Sequence, residues 1–282
     1  MANVAFIGTG LLGSGMVEGM LGRGDAVTVW NRTESKARAL EAFGATVAAT
    51  PADAVVTADR VHMTLPDDAV VDEIVAGFKP RLRADAVVVI DHSTTAPTTT
   101  AGRVSRLNRD GVRFLHAPVF MSPQMARTSV GMMMVSGPAA VYESVREPLA
   151  AMTGEVWYCG EAGDHAAAYK IFGNSMIFTI IAGINDVFAM AKNIGMSPVD
   201  AMQVFAKFQP ASVIKSRGEK MARGDFAATF ELTMARKDIR LMLEAGGGQP
   251  MLVMPSVAKR MDEAIAQGRG REDLGAIAAE VV

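Results

Sequence analysis

VAFIGTGLLGSGM, residues 4–16, decides how the chain begins. An apolar run from Val4 to Ile7 leads directly into glycines spaced G-x-G-x-x-G at Gly8, Gly10 and Gly13. That order reads as a strand, a tight turn and a helix. Gly8 lets the chain turn, Gly10 lets backbone approach a pyrophosphate, and Gly13 lets the helix sit close to the strand. The helix start then offers free N–H groups and a partial positive charge to phosphates. Gly8, Thr9, Gly10, Leu11, Leu12 and Gly13 are therefore candidate cofactor-binding residues.

The pattern continues outward from this motif. VTVW (27–30), HMTL (62–65), AVVVID (86–91), RFLHAPV (113–119), GMMMVSG (131–137) and EVWYCG (155–160) are short apolar runs of the kind that form strands covered on both faces. Amphipathic stretches such as ESKARALEAF (34–43) and VSRLNRDG (104–111) lie between several of them. Alternation of this kind gives βαβ units and a mostly parallel sheet. After Gly160 the texture changes. From Asp164 to Asn193 no proline occurs and Ala, Ile, Met and Phe dominate, which predicts one helix of about 30 residues. The segments 197–208, 212–222, 231–245 and 250–268 are also helical in pattern. Ser197-Pro198 reads as an N-cap followed by a first-turn proline, and Gly246–Gly248 ends one helix with Pro250 starting the next. The expected fold is an α/β N-terminal Rossmann domain with a mostly parallel sheet, residues 1–162. An all-α domain of residues 163–282 follows, entered through a long helix and expected to bind substrate and a second copy.

Composition narrows the function. The 282 residues carry 28 basic and 30 acidic side chains, without a long run of either sign. No nucleic-acid footprint follows from that balance. The apolar segment at 171–184 is interrupted by Gly173, Asn174 and Gly183 and bounded by Lys170 and Asp186, so no membrane partner is expected. A single cysteine, Cys159, fits a reducing, cytoplasmic setting. The four histidines, 62, 92, 116 and 165, have no metal-ligand spacing.

The end of the second strand speaks to the cofactor. NAD sites place an acidic residue there for the ribose hydroxyls. Here the strand ends in Asn31, Arg32 and Thr33. Arg32 can pair with a 2′-phosphate, and Asn31 and Thr33 can donate hydrogen bonds, so NADP(H) is expected in preference to NAD(H). Thr33 can also cap the helix that follows.

With GTGLLGSGM (8–16) and VWNRTESKA (29–37), the chain resembles the β-hydroxyacid dehydrogenase family, which includes 3-hydroxyisobutyrate dehydrogenase, within the 6-phosphogluconate dehydrogenase superfamily. TLPDD (64–68), IDHSTTAP (90–97), HAPV (116–119), GEAGDHAAAYKIFGN (160–174) and ARKDIRLMLE (235–244) continue the resemblance in the family's order. It implies hydride transfer between NADP(H) and a small β-hydroxy acid or the corresponding aldehyde or ketone, in a homodimer or homotetramer. It places the catalytic lysine on Lys170 and a substrate-holding asparagine on Asn174, four residues apart on one helix face. A lysine in a partly desolvated cleft beside a cationic nicotinamide should have a lowered pKa and so exchange protons near neutrality, and the apolar surroundings of Lys170, AAAYKIF, speak against a solvated charge. Leu65, Pro66 and Thr94 fall on positions beside the nicotinamide, and Lys237 on a lysine reaching from the helical domain.

The chain also departs from the family. The usual Asp-Ala-Pro-Val-Ser-Gly-Gly grips a substrate carboxylate; here His116, Ala117, Pro118 and Val119 are followed by Phe120, Met121 and Ser122. Bulky side chains obstruct close backbone approach to a carboxylate. Ser122 remains a candidate substrate contact, and the substrate itself is not legible. Two other readings follow. Imine reductases share the fold and the strand end but usually lack the lysine, and a non-catalytic NADPH-binding sensor would have no use for it.

Overall fold

The computed structural model describes residues 2–83 and 87–282. Its first sheet has six parallel strands: β1 (Asn3–Ile7), β2 (Ala26–Trp30), β3 (Thr46–Val47), β4 (Arg60–Met63), β5 (Val88–Asp91) and β6 (Arg113–His116). Their order is β3-β2-β1-β4-β5-β6. This is the doubly wound Rossmann order, in which ligands bind where the winding reverses, here beyond the C-terminal ends of β1 and β4. The helices of this part are α1 (Leu11–Gly22), α2 (Glu34–Arg38), α3 (Pro51–Ala54), α4 (Asp68–Phe78), α5 (Pro97–Arg109), α6 (Pro123–Arg127) and α7 (Ala139–Thr153).

Strand alternation feeds two cores. Val4, Phe6, Val88, Ile90 and Leu115 meet Met16, Val17 and Met20 of α1 on one face. Ala5, Ile7, Val61, Met63, Val89 and Phe114 meet Val71, Val75 and Phe78 of α4 on the other. Successive residues of one strand go to opposite faces, which is why these runs are apolar throughout.

A second, three-stranded sheet was not legible in the sequence. RFLHAPV is not one strand, because Pro118 has no N–H to give a ladder. The chain leaves β6 at His116 and re-pairs as β7 (Val119–Phe120), antiparallel to β8 (Gly131–Val135), which is parallel to β9 (Gly154–Tyr158). The sheet content is therefore parallel in the large sheet and mixed in the small one. Two other expectations are corrected. The 34–43 helix stops at Arg38, and its continuation tightens to a 3₁₀ turn over Glu41–Phe43, ended by Gly44 at φ +100°. Of AVVVID, the first residue lies outside the described ones, and pairing begins at Val88.

α8 (His165–Asn193) runs for 29 residues. Contacts divide the chain into two compact units within it, Met1–Asn174 and Ser175–Val282, twelve residues beyond the division at 162 expected from the sequence. The second unit contains α9 (Pro198–Met202), α10 (Val204–Lys207), α11 (Ser212–Ala222), α12 (Leu232–Gly246) and α13 (Met254–Ala264). Ser197 caps α9 as its sequence implies, its hydroxyl accepting from Asp200 N–H at 3.1 Å. Leu232, Ala235 and Ile239 of α12 bury against Ala258, Met261 and Ala264 of α13 at helical spacing. Gly247, left-handed at φ +54°, ends α12, but the proline that opens α13 is Pro255 and not Pro250.

By length and composition α8 is apolar enough to cross a membrane. Yet it carries Asp186, a buried carboxylate that accepts from the N–H groups of Leu252, Val253 and Met254 at 2.6, 2.9 and 2.8 Å. A side chain of α8 thus serves as the N-cap of α13, satisfying donors that no local side chain reaches. Burial alone would raise the Asp186 pKa, but those backbone donors outweigh it and hold the carboxylate below its usual range. The stabilisation is then fully present above the unfolded value, about 3.9, and lost as pH falls through the folded one. Asp186→Ala should cost on the order of 1.5–3 kcal/mol at neutral pH in denaturant titrations. The gap between the unmodified protein and Asp186→Asn should close below about pH 4. A gap that does not change with pH would contradict the charge assignment.

Candidate functional site

At the C-terminal ends of β1, β2 and β4 the first unit has a cavity of about 1070 Å³. Gly8, Gly10, Leu11, Leu12 and Gly13 form one wall, Asn31, Arg32 and Thr33 a second, and Leu65, Pro66 and Thr94 a third. Each glycine has its own reason. Gly8 is at φ +94°, and a β-carbon there would collide with Thr64 O. At Gly13 a β-carbon would collide with Gly8 O. Gly10 differs, since a β-carbon there would meet no protein atom within 4 Å; its open side faces the cavity. Gly10 is also the N-cap of α1, which has neither a capping side chain nor an acidic first turn. Uncapped N–H groups beside an open glycine fit a phosphate, and the cavity suits a nicotinamide dinucleotide.

Hydrogen bonds fix the loops around it. The Thr64 hydroxyl donates to Gly8 O at 2.6 Å, and Leu65 N–H donates to Ser93 Oγ at 2.9 Å. Thr9 does not reach the cavity lining: it is buried, its N–H donating to Asn31 Oδ1 at 3.0 Å. Asn31 also donates to Thr33 O at 2.9 Å, so its amide braces the loop. Thr33 occupies the N-cap position of α2 but makes no capping bond. Lys36, one turn into α2, lines the cavity with Arg32, as does Glu73 of α4. Sequence reading missed Lys36; its signal was the four-residue spacing from Arg32.

Beneath the cavity three histidines and an aspartate are buried at the ends of β4, β5 and β6. His92 Nδ1 is 2.7 Å from Ala117 O, and a carbonyl only accepts, so Nδ1 carries the hydrogen. His92 Nε2 must then accept from His62 Nδ1, 2.9 Å away. Burial pushes His92 down to about 4 and His62 well below its usual value, so both are neutral. His116 stands 3.5 Å from Asp91. Burial would raise Asp91, but His116 and Ser93 hold it below the normal carboxylate range.

Lys170 lies on the first turns of α8, in the same unit. Ala166 and Ala167 are buried, and Ala166 N–H donates to Ser136 Oγ at 2.9 Å, so small residues bring the helix against the sheet end. Lys170 Nζ donates to Val119 O at 2.8 Å and stands 4.2 Å from the Phe120 ring centre. Burial pulls its pKa below the ordinary lysine value. Asn174 is half-buried one turn further on. Ser122 caps α6, its hydroxyl accepting from Met125 N–H at 3.2 Å and keeping its own O–H to donate. Lys237 belongs to the second unit, on α12, 2.8 Å from Asp238.

A glycine-walled dinucleotide cavity under a Rossmann switch point defines a nicotinamide-dinucleotide-binding domain, and the next long helix carries a desolvated lysine. Comparison with known proteins agrees. The family model described as the NAD binding domain of 6-phosphogluconate dehydrogenase matches residues 3–160. That described as NAD-binding of NADP-dependent 3-hydroxyisobutyrate dehydrogenase matches 164–281. The 2-(hydroxymethyl)glutarate dehydrogenase of Eubacterium barkeri is 25% identical over 97% of this chain and 93% of its own. The cytokine-like nuclear factor N-PAC of Xenopus tropicalis is 30% identical over 86% of this chain, which spans only 46% of that protein. The imine reductase from Myxococcus stipitatus, solved with NADP+, superposes with a TM-score of 0.90 over 98% of both chains at 19% identity, a likeness of fold. The chain belongs to the β-hydroxyacid dehydrogenase family.

Gly10→Ala tests the cradle. An added methyl enters space that no protein atom occupies, so stability should fall by no more than about 1 kcal/mol, the cost of alanine at an N-cap. Dinucleotide affinity, read by quenching of protein fluorescence, should fall about tenfold or more. Unchanged affinity would place the phosphates elsewhere.

Proposed function

We propose that the protein is an NADP(H)-dependent oxidoreductase that interconverts a carbonyl and an alcohol of a small molecule, with Lys170 carrying the proton. The observation that carries the reading is Lys170 itself: half-buried, held by one carbonyl, and lowered in pKa by that burial. The uncapped N–H groups of α1 and Gly10 would hold the pyrophosphate, with Leu65, Pro66 and Thr94 toward the nicotinamide. When bound, the reduced nicotinamide supplies a hydride equivalent. Lys170 Nζ gives a proton to the substrate oxygen during reduction and takes it back during oxidation. Asn174, on the same helix face, orients the substrate.

Lys170→Ala should keep the fold and NADPH affinity and lose about 10²- to 10⁴-fold in kcat. Asn174→Ala should raise KM at least as clearly as it lowers kcat. For reduction Lys170 must start protonated, so kcat should fall as pH rises through its lowered pKa, and that limb should vanish in Lys170→Ala. Turnover of Lys170→Ala within a few-fold of the original would remove Lys170 from the mechanism.

Preference for NADP(H) rests on Arg32 and Lys36 at the end of β2, where a carboxylate would otherwise stand. Arg32→Ala should weaken NADPH about tenfold or more and NADH little, by fluorescence titration. Equal affinity of the unmodified protein for both cofactors would contradict the assignment. Assembly is the other element. Phe178 and Ile181 of α8, three apart on one helix face, are 66 and 58% exposed, and we assign this apolar face to a second copy of the chain. Reduction of C=N bonds is a second reading, favoured by Phe120 in place of the family's serine. Semialdehydes, ketones and cyclic imines offered with NADPH separate the two. A protein that binds NADPH and oxidises it with none of them is a cofactor sensor.

A further inference from the structure

We infer that Phe120 makes this site select a carbonyl compound with an uncharged apolar group beside the reacting carbon, and exclude the carboxylate of a β-keto or β-hydroxy acid. The inference rests on the reading of Lys170 as the proton carrier. It starts from where the Phe120 ring is. The ring lies 4.2 Å from Lys170 Nζ, and a β-carbon at Gly173 would collide with its Cζ. Phe120 therefore covers α8 between Lys170 and the turn that carries Asn174. The glycine at 173 is what gives the ring room.

The ring is also held from behind. Phe120 is paired with Met132 across β7 and β8. At Gly131, φ +134°, an added β-carbon would come within 2.8 Å of Met121 Cβ, so the next side chain in the loop is packed as well. Two residues later the Ser122 hydroxyl accepts from Met125 N–H at the start of α6, which fixes where it stands. What residues 120–122 set against Lys170 is therefore the Phe120 ring, in place of a serine hydroxyl.

An anion fares badly there. The face of an aromatic ring is its negative pole, which suits the Lys170 ammonium and repels a carboxylate. Of the three N–H bonds of Lys170, one is given to Val119 O, and the ring covers another side of the ammonium. What remains is required by the substrate oxygen, so Lys170 cannot also clamp a carboxylate. A carboxylate stripped of water without donors to replace it is costly, whereas an alkyl group on the same surface is favoured.

Two ketones of matched shape decide the matter. 3-Oxobutanoate and 4-methyl-2-pentanone differ only in that an isopropyl group replaces the carboxylate. With NADPH, the unmodified protein should reduce the neutral ketone with a kcat/KM at least about tenfold higher. In Phe120→Ser the ratio should swing about tenfold toward the acid, while Phe120→Leu, which keeps apolar volume, should move it far less. A preference for the acid in the unmodified protein overturns the inference, and so does a ratio that Phe120→Ser leaves unmoved. The first arm needs no variant to fold. Calorimetry of 3-hydroxybutanoate and 4-methyl-2-pentanol on the protein–NADP+ complex gives a readout independent of turnover. If neither ketone is reduced, it is the Lys170 reading that fails, and binding still decides the selectivity. Tighter binding of the neutral alcohol supports the inference; tighter binding of the acid, or of neither, overturns it.

Discussion

The hydrogen bond from Lys170 Nζ to the Val119 carbonyl, 2.8 Å long, is the contact on which the proposed chemistry depends. A lysine side chain has four rotatable carbons and in water would hold no single place. Here one acceptor and one ring fix its end, and the same burial that fixes it lowers its pKa. The acceptor is a backbone atom, so its position is set by strand pairing. β7 has only two residues, and it stays in place because β8 pairs with it and Met134 N–H donates to Pro118 O at 3.0 Å.

That short strand is tied to the cofactor cavity in two ways. On one side, His92 donates to Ala117 O, two residues before Val119, and Ser93 beside it holds Leu65 at the cavity wall. On the other, α6 lies against α1: β-carbons at Gly15 and Gly19 would collide with or crowd Pro123 O and Ala126 O, and Arg127 forms a forked ion pair with Glu18 at 2.8 and 3.0 Å. The helix whose N-terminus lines the cavity and the strand that holds the lysine therefore belong to one packed piece. Two neutral histidines suit that role, because a charged pair at 2.9 Å inside a core would repel.

Local pattern made much of this legible in the sequence. GTGLLG implies its turn because each glycine answers a steric demand within a few residues, and the long helix follows from an unbroken apolar run without proline. The features that escaped depend on partners far away in the chain. Nothing near Asp186 says that it caps a helix 66 residues later. Ser122 is the exception, since its partner Met125 is three residues on and Ser122-Pro123 repeats the cap signal of Ser197-Pro198. Thr9 sits in the glycine motif and still turns away from the cavity, because Asn31, 22 residues on, takes its N–H. The mixed sheet was hidden for a different reason. HAPV reads as a continuous strand by hydrophobicity, and only the missing N–H of Pro118 divides it.

The most direct test of the account is the titration of Lys170 itself. Side-chain ¹⁵N signals of labelled lysine, assigned with Lys170→Arg, report its protonation without any substrate. The account predicts a midpoint clearly below the usual lysine value of about 10.4, moving back toward it in Phe120→Ser as water reaches the ammonium. A midpoint at or above 10.4 in the unmodified protein would mean that Lys170 is an ordinary solvated charge, and the proposed proton transfer would lose its basis.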